Sequence, residues 1–566
     1  MSVASTIRDY VLPTNSLLTG DSYLSTQGPM LFDVNPDASG NIKKIIGTYS
    51  YFEARPGGIY PNITVAGVQD MVKKFNKTLH FSRKDANQFI RLLARMHSIS
   101  GAPEAPKPLW YTTMVADIKA IVEEKNGWIP VRVYALTDGE IIKEGTPIYA
   151  VENTDPKFAH WVNIIESQLQ KAIWYPTVCA SNALALNMIV YNGLKKTTSP
   201  EMAKLWRKYA IHGFDYRGNT SDESAVIATM AYSYVLHGSD TMIGNMAAAL
   251  NYMPPFDQEE NDEEGWTDEK GFPNIPMPLG SIAASAHAEM IQAGPEGEIP
   301  LLWRIAKNYP SGPVAVVNDA HGSEAHIRAI TTGALFEAIK ARFDADPSGM
   351  SRWVSRWDSP WPGKTVLETI AATMAIIEEN LKDHITTYVI DGKTIKTFPI
   401  FRFLWGDGIN KELLAQIIDW YVANNWDISL FLNGIGSRLV NGKRDHIRGA
   451  AKPCWYRTEI TDAEGNVSVE EAGRCKTTPG KTSKQGKWGV YRLTRGAAIT
   501  NTLTGTTSEG TGEIISAPEG TLQIAGDALP NMLQRVWEDG VPYLKEQTLD
   551  EIRERIETWR MEHGDI

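Results

Sequence analysis

Residues 400–424 read IFRFLWGDGINKELLAQIIDWYVAN, and this stretch decides the fold. The apolar run 400–405 is long enough for a buried strand and too short for a helix of its own. Gly406-Asp407-Gly408 ends it. From Lys411 the period becomes helical, with Leu413, Leu414, Ile417 and Ile418 on one face. Strand, acidic turn, helix is the pattern of parallel α/β units. The run 314–318 (VAVVN) repeats it and ends in Asp319, and SRWDSP places Asp358 in the same position. Residues 365–383 read as another amphipathic helix. Such units present functional groups at the carboxyl ends of their strands.

Outside this centre the pattern changes. Residues 130–151 alternate apolar with polar around Asp138-Gly139, which predicts antiparallel β structure with a turn there. Residues 161–196 are helical in period, with an interruption expected at Tyr175-Pro176. Residues 459–485 read as a hairpin and loop. Thr548 and Glu551 form a capping box that starts a last helix. The acidic segment 256–273 reads as a solvated loop, or as a flap beside a site. The expected layout is a β-rich and helical part at 1–180, an α/β barrel-like part at 181–450, and a C-terminal part at 451–566 packing with the N-terminal one.

Bulk properties narrow the function. The chain has 566 residues, more than one ordinary core. Hydrophobic residues make up 43% and charged residues 22%, the balance of a globular protein. A net charge of -11 argues against general nucleic-acid binding. No uninterrupted apolar run is long enough to span a membrane, and the first residues do not read as a secretory signal. Cys179, Cys454 and Cys475 show no zinc spacing and no disulfide pattern, which fits a reducing cytoplasm.

Asp319, Asp358 and Asp407 each follow a strand and precede a turn. Converging carboxylates hold Mg²⁺ or orient ribose hydroxyls; single ones read equally well as helix caps. Gly406, Gly408, Gly434 and Gly436 permit close backbone approach to a phosphate, or serve ordinary turns. Arg356 stands two residues before Asp358, so both side chains share one face of a strand. Arg444 and Lys452 follow the second glycine turn and supply phosphate-binding cations, or surface charge. His287 sits among small residues in SIAASAHAEM. In 211–220, IHGFDYRGNT, an aromatic and Arg217 stand in a glycine-flanked turn, suited to a flat ring beside a phosphate or to core packing.

Taken together these residues resemble the nicotinamide phosphoribosyltransferases. HGFDYRG looks like that family's HDFGYRG-type motif. LTGDSY (18–23), YSYFEAR (49–55), YAVENTDP (149–156), WYPT (174–177), HGSDT (237–241), PVAVVND (313–319), RWDS (356–359), GDG (406–408), KRD (443–445) and TLDEIR (548–553) follow in the family's order. The resemblance covers nearly the whole chain and marks a distant member. It implies a type II phosphoribosyltransferase fold: an irregular α/β barrel, with a β-rich domain formed by N- and C-terminal parts. The implied reaction joins nicotinamide to 5-phosphoribosyl-1-pyrophosphate in a cytoplasmic homodimer with shared active sites. Phe214 would stack on the nicotinamide ring, with Tyr23 of the partner subunit on its other face. Asp240 would accept from the carboxamide. Arg356 would bind near the ring or the ribose phosphate, and Asp358, Gly406 and Asp407 would position the ribose, with Asp358 also near Mg²⁺ and pyrophosphate. Gly434, Gly436, Arg444 and Lys452 would hold the 5′-phosphate, the last two from the partner chain, and Arg217 the pyrophosphate. His287 would take a phosphoryl group from ATP, oriented by Asp319. Lys476 and Lys481 align with lysines near the phosphates. The nearest alternatives are a nicotinate phosphoribosyltransferase and a non-catalytic binding protein of the same fold.

The chain departs from the family's pattern in several places. Ala286 replaces the usual Glu before His287, which bears on ATP coupling. Pro360 stands where Gly is usual. Gly213 and Asp215 exchange the usual Asp and Gly around Phe214. Ala315 and Ala450 replace Ser, and one residue is inserted before Arg444.

Overall fold

A computed structural model describes residues 15–254, 277–478 and 482–563. The acidic segment 256–273 and Lys481 lie outside the described residues. The chain forms two compact units: Met1–Val178 with Lys443–Gln547, and Cys179–Gly442 with Thr548–Ile566.

The second unit carries the expected parallel α/β arrangement. Its strands are β1 (Ile211–Gly213), β2 (Gly238–Ser239), β3 (Ala283–Ala284), β4 (Val314–Val317), β5 (Trp353–Trp357), β6 (Phe401–Trp405) and β7 (Phe431–Ile435). They lie in the order β2-β1-β7-β6-β5-β4-β3, every pair parallel. A parallel bridge between Gly238 and Gly280 brings the residue stretch before β3 against β2, so the sheet curls back toward itself. Strands β4 and β6 are buried on both faces, which is why they read as nearly continuous apolar runs. On one face Ala315, Val354 and Leu404 cluster with Phe214, Ile282 and Leu432. On the other, the Trp357 ring stacks on Phe403 and Trp405 at 5.5 and 6.1 Å.

The helices that follow β5 and β6 start at side-chain caps. Thr365 accepts from the Glu368 N–H and begins Val366–Asn380; Asn410 accepts from the Leu413 N–H and begins Lys411–Ala423. The last helix, Leu549–His563, is counted with this unit rather than with the strands just before it. Arg553 ties it down, donating to the carbonyls of Ser233, Leu236 and Pro278 at 3.0, 3.2 and 2.8 Å.

The first unit holds a seven-stranded sheet whose neighbours run antiparallel, in the order Val467–Gly473, Ala450–Thr461, Ile42–Glu53, Pro147–Asn153, Val131–Ala135, Gln534–Glu538, Val541–Pro542. Antiparallel structure at 130–151 is present, but Asp138-Gly139 does not make a tight hairpin. Ile141–Ile142 instead pairs with Ile63–Thr64, and the Asp138 carboxylate accepts the N–H groups of Val68 and Gln69, both at 2.9 Å.

The expected break at Pro176 is absent. Helix Glu166–Thr197 runs straight through it. Proline removes one N–H and crowds the carbonyl four residues back. Here Gly67 faces that turn, and a Cβ on it would lie 2.5 Å from Pro176 Cγ and 3.0 Å from the Ala172 carbonyl oxygen. The stretch Trp161–Thr197 is apolar enough, by length and composition, to cross a membrane, but 67% of its most apolar window is buried inside the protein.

Candidate functional site

The carboxyl ends of β3, β4 and β5 gather four of the expected residues. Arg356, in β5, forks onto Asp358, with Nε donating to Oδ1 at 2.9 Å and Nη2 to Oδ2 at 2.7 Å. Asp319, just past β4, accepts the Asp358 backbone N–H at 3.1 Å. Its other oxygen lies 3.0 Å from His287 Nε2, and His287 Nδ1 lies 3.9 Å from Asp358. Asp319 is 4% exposed at its side chain and His287 39%, so the carboxylate is the fixed partner and the imidazole the accessible one. None of the three strand-end aspartates caps the next helix; Gly322, Thr365 and Asn410 stand at those positions.

Gly406 is required by this fork. A Cβ there would sit 2.2 Å from Asp358 Oδ1 and 2.8 Å from Arg356 Nε. Asp407 follows it, exposed, and its carbonyl accepts the Trp405 indole N–H at 2.7 Å. Gly434 has a matching role beneath Phe214, whose Cε2 would be 2.2 Å from an added Cβ. Gly436 heads the short turn Ser437–Val440, against which Gly218 packs.

The loop after β1 completes the rim. The Phe214 ring has the Arg356 guanidinium over it, 4.8 Å from the centroid. Its backbone N–H donates to Ile435 in β7 at 3.0 Å. His212 lies edge-on to Phe214 and 3.1 Å from Asp240 Oδ1. Ser281 also donates to Asp240. Burial pushes the Asp240 carboxyl up, but the His212 hydrogen bond and charge, the Ser281 hydroxyl and the Arg356 charge outweigh it and hold the group below its usual range. The rim therefore presents an ionised carboxylate beside an aromatic face. Arg217 is exposed in the turn Tyr216–Gly218.

Sequence reasoning passed over Asp215. It is fully buried and accepts from Tyr232 (2.8 Å), Thr241 (3.1 Å) and Asn219 (2.9 Å). Burial pushes this carboxyl up, and those hydrogen bonds counter it only in part. Asp215 pins the Phe214 loop from below. It also explains Gly213, where a Cβ would lie 2.6 Å from the Tyr232 hydroxyl and 2.9 Å from Asp215 Oδ1. The exchanged Gly213 and Asp215 are thus one coherent packing solution.

Tyr23, Arg444, Lys452 and Lys476 belong to the first unit. Tyr23 is 60% exposed in the turn Ser22–Thr26. Arg444 opens the turn Arg444–His446. Lys452 is half-buried; burial lowers its ammonium pKa, and the charges of Arg55, Lys476 and Arg444 lower it further against the pull of Glu166. Lys452 and Lys476 line a groove of about 520 Å³ together with Lys43, Lys44 and Arg474, a setting suited to an anion.

Among the described residues no three or more His, Cys, Asp or Glu side chains gather into a ready-made metal cluster. Mg²⁺ bound through one carboxylate and phosphate oxygens needs none. Asp358 fits that use, because its two oxygens each accept one hydrogen bond and keep a lone pair.

No family model matches the chain. It is 25% identical over 555 residues to the nicotinamide phosphoribosyltransferase of Xanthomonas campestris pv. campestris, covering 97% of this chain and 99% of that protein. It is 22% identical over 196 residues to the nicotinamide phosphoribosyltransferase of Mycoplasma pneumoniae, covering 34% of this chain and 36% of that one. Among solved structures it resembles the nicotinate-nucleotide pyrophosphorylase of Pyrococcus furiosus, with a TM-score of 0.49, 13% identity and coverage of 97% and 96%. It resembles human nicotinic acid phosphoribosyltransferase with a TM-score of 0.48, 13% identity and coverage of 95% and 92%.

Proposed function

We propose that this protein transfers the 5-phosphoribosyl group of phosphoribosyl pyrophosphate to nicotinamide, giving nicotinamide mononucleotide and pyrophosphate. Similarity to a nicotinamide phosphoribosyltransferase over nearly the full length of both chains supports the reaction class. The observation that carries the substrate is the pairing of charges on the rim. Arg356 spends its fork on Asp358, whereas Asp240 stands ionised beside Phe214. A carboxamide N–H donates to such a carboxylate; the carboxylate of nicotinate is repelled by it.

In this reading Phe214 and the partner subunit's Tyr23 clamp the pyridine ring, which supplies proximity and orientation to a weak nitrogen nucleophile. The ring nitrogen bonds to the anomeric carbon as the bond from that carbon to the pyrophosphate oxygen breaks. The electron pair leaves with pyrophosphate. Asp358 and Asp407 orient the ribose hydroxyls and Arg217 faces the departing charge. Gly434 and Gly436, with the partner subunit's Arg444 and the partner subunit's Lys452, hold the 5′-phosphate, and Lys476 lies near the phosphates. Bound Mg²⁺, held by Asp358 and phosphate oxygens, supplies charge neutralisation at the leaving group. For coupling to ATP, Asp319 takes the Nε2 proton of His287 as a hydrogen bond, which leaves the Nδ1 lone pair to accept a phosphoryl group. The site is that of a cytoplasmic homodimer.

The test is incubation with phosphoribosyl pyrophosphate, Mg²⁺ and either nicotinamide or nicotinic acid, with and without ATP, followed by chromatography of the products. Nicotinamide mononucleotide as the main product, increased by ATP, is expected. A chain making nicotinate mononucleotide preferentially is the nicotinate enzyme, and one making neither is no transferase.

A further inference from the structure

A cavity of about 150 Å³ lies inside the first unit, away from any residue given a role above except Tyr23. Leu17, Phe89, Leu93 and Met114 make its walls, all of them buried. One side is formed by Gly20, Asp21, Ser22 and Ser25, the turn on which Tyr23 stands. Away from that turn the lining is apolar, with two exceptions. Trp161 is fully buried, and its indole N–H has no hydrogen-bond partner. Gln168 donates its amide N–H to the Ser16 carbonyl at 2.7 Å, and its Oε1 is buried without a partner. The two residues are seven apart along a helical stretch, so they share a face.

Buried polar atoms are bonded in nearly all folded proteins, so an unused donor and an unused acceptor on one cavity call for an occupant. A single water bridging these two atoms would leave the apolar walls made by Leu17, Phe89, Leu93 and Met114 without contact. The volume matches that of an apolar cavity that takes up benzene, about 150 Å³. We propose that this cavity binds a monocyclic aromatic molecule bearing one hydrogen-bond acceptor and one N–H donor. The ring fills the apolar walls, the acceptor takes the Trp161 N–H, and the donor meets Gln168 Oε1. Because the Tyr23 turn is one wall, occupancy holds that turn in place. The link to turnover rests on the proposed phosphoribosyl transfer; the binding itself does not.

Benzamide is the probe, titrated calorimetrically into the intact protein and into Phe214→Ala, which removes the ring platform of the proposed active site. One benzamide per chain is expected to remain bound in Phe214→Ala. Trp161→Phe keeps the shape but deletes the N–H, and should weaken that binding at least fivefold. Leu93→Trp fills the cavity and should abolish it; Met114→Trp serves if Leu93→Trp does not fold. Toluene, lacking both polar groups, should bind more weakly and ignore Trp161→Phe. Loss of benzamide binding in Phe214→Ala, or its persistence in the cavity-filled variant, overturns the proposal. If Phe214→Ala binds benzamide while the wild type makes no nucleotide, the cavity stands and the proposed reaction falls.

Discussion

Asp240 is the residue on which base selectivity turns. Asp240→Asn replaces an acceptor-only group with one that also donates, and it removes a negative charge from the rim. The ratio of kcat/KM for nicotinamide over nicotinate should fall by about tenfold or more. Paired assays on both bases check this, and an unchanged ratio removes Asp240 from the role. His287→Ala should lose ATP stimulation and keep basal synthesis, and Asp319→Asn should weaken the stimulation in the same direction. Product formed per ATP consumed is the measurement. Arg356, Asp358, Asp319 and His287 were legible because their types and strand-end positions are local facts of the sequence. Asp215 was not. Its partners Tyr232 and Thr241 stand on later elements, and only the folded chain brings them together.

The strand ends make the same point for whole elements. Strand and acidic turn were legible at β4 and β6, since burial on both faces leaves a nearly unbroken apolar run, whereas β5, with Ser355 and Arg356, was marked only by the Asp358 turn at its end. Helix Glu166–Thr197 was not, because the residue that packs against its Pro176 turn, Gly67, is remote in sequence. In the first unit the two runs flanking Asp138-Gly139 do pair antiparallel, Val131 opposite Asn153, but the pairing of Ile141–Ile142 with the remote Ile63–Thr64 had no local signal. Where two elements touch through a missing side chain, the effect of adding one is direct. Gly406→Ala drives a methyl group into the Arg356–Asp358 fork. A displacement near 1 Å at reacting groups costs about 100-fold, so kcat/KM should drop by roughly that factor with an unchanged circular dichroism spectrum. Wild-type kinetics in Gly406→Ala would show that the fork is not used.

At the scale of the molecule, acid stability of the second unit depends on His237. Burial, together with Arg553, Lys208, Arg207 and Arg560, pushes its pKa down from 6.5 to about 3. Folded protein therefore binds fewer protons than unfolded protein between those values. The contribution is complete above pH 6.5 and is lost as pH falls toward 3, at up to about 1.4 kcal/mol per pH unit. Urea unfolding at a series of pH values should show this decline, and His237→Gln should flatten it. The curled sheet has a kinetic corollary. Strands β4 to β7 join neighbours in sequence, but β1 must find β7, with Ile211 opposite Asn433, and β2 must then meet Gly280. Pairings that close such long loops come late in folding. Phe214 and Asp240 hang from β1 and β2. During refolding from urea, helical signal should return first and catalytic competence should lag behind it, so that a chain interrupted at the last step is compact, well structured and inert.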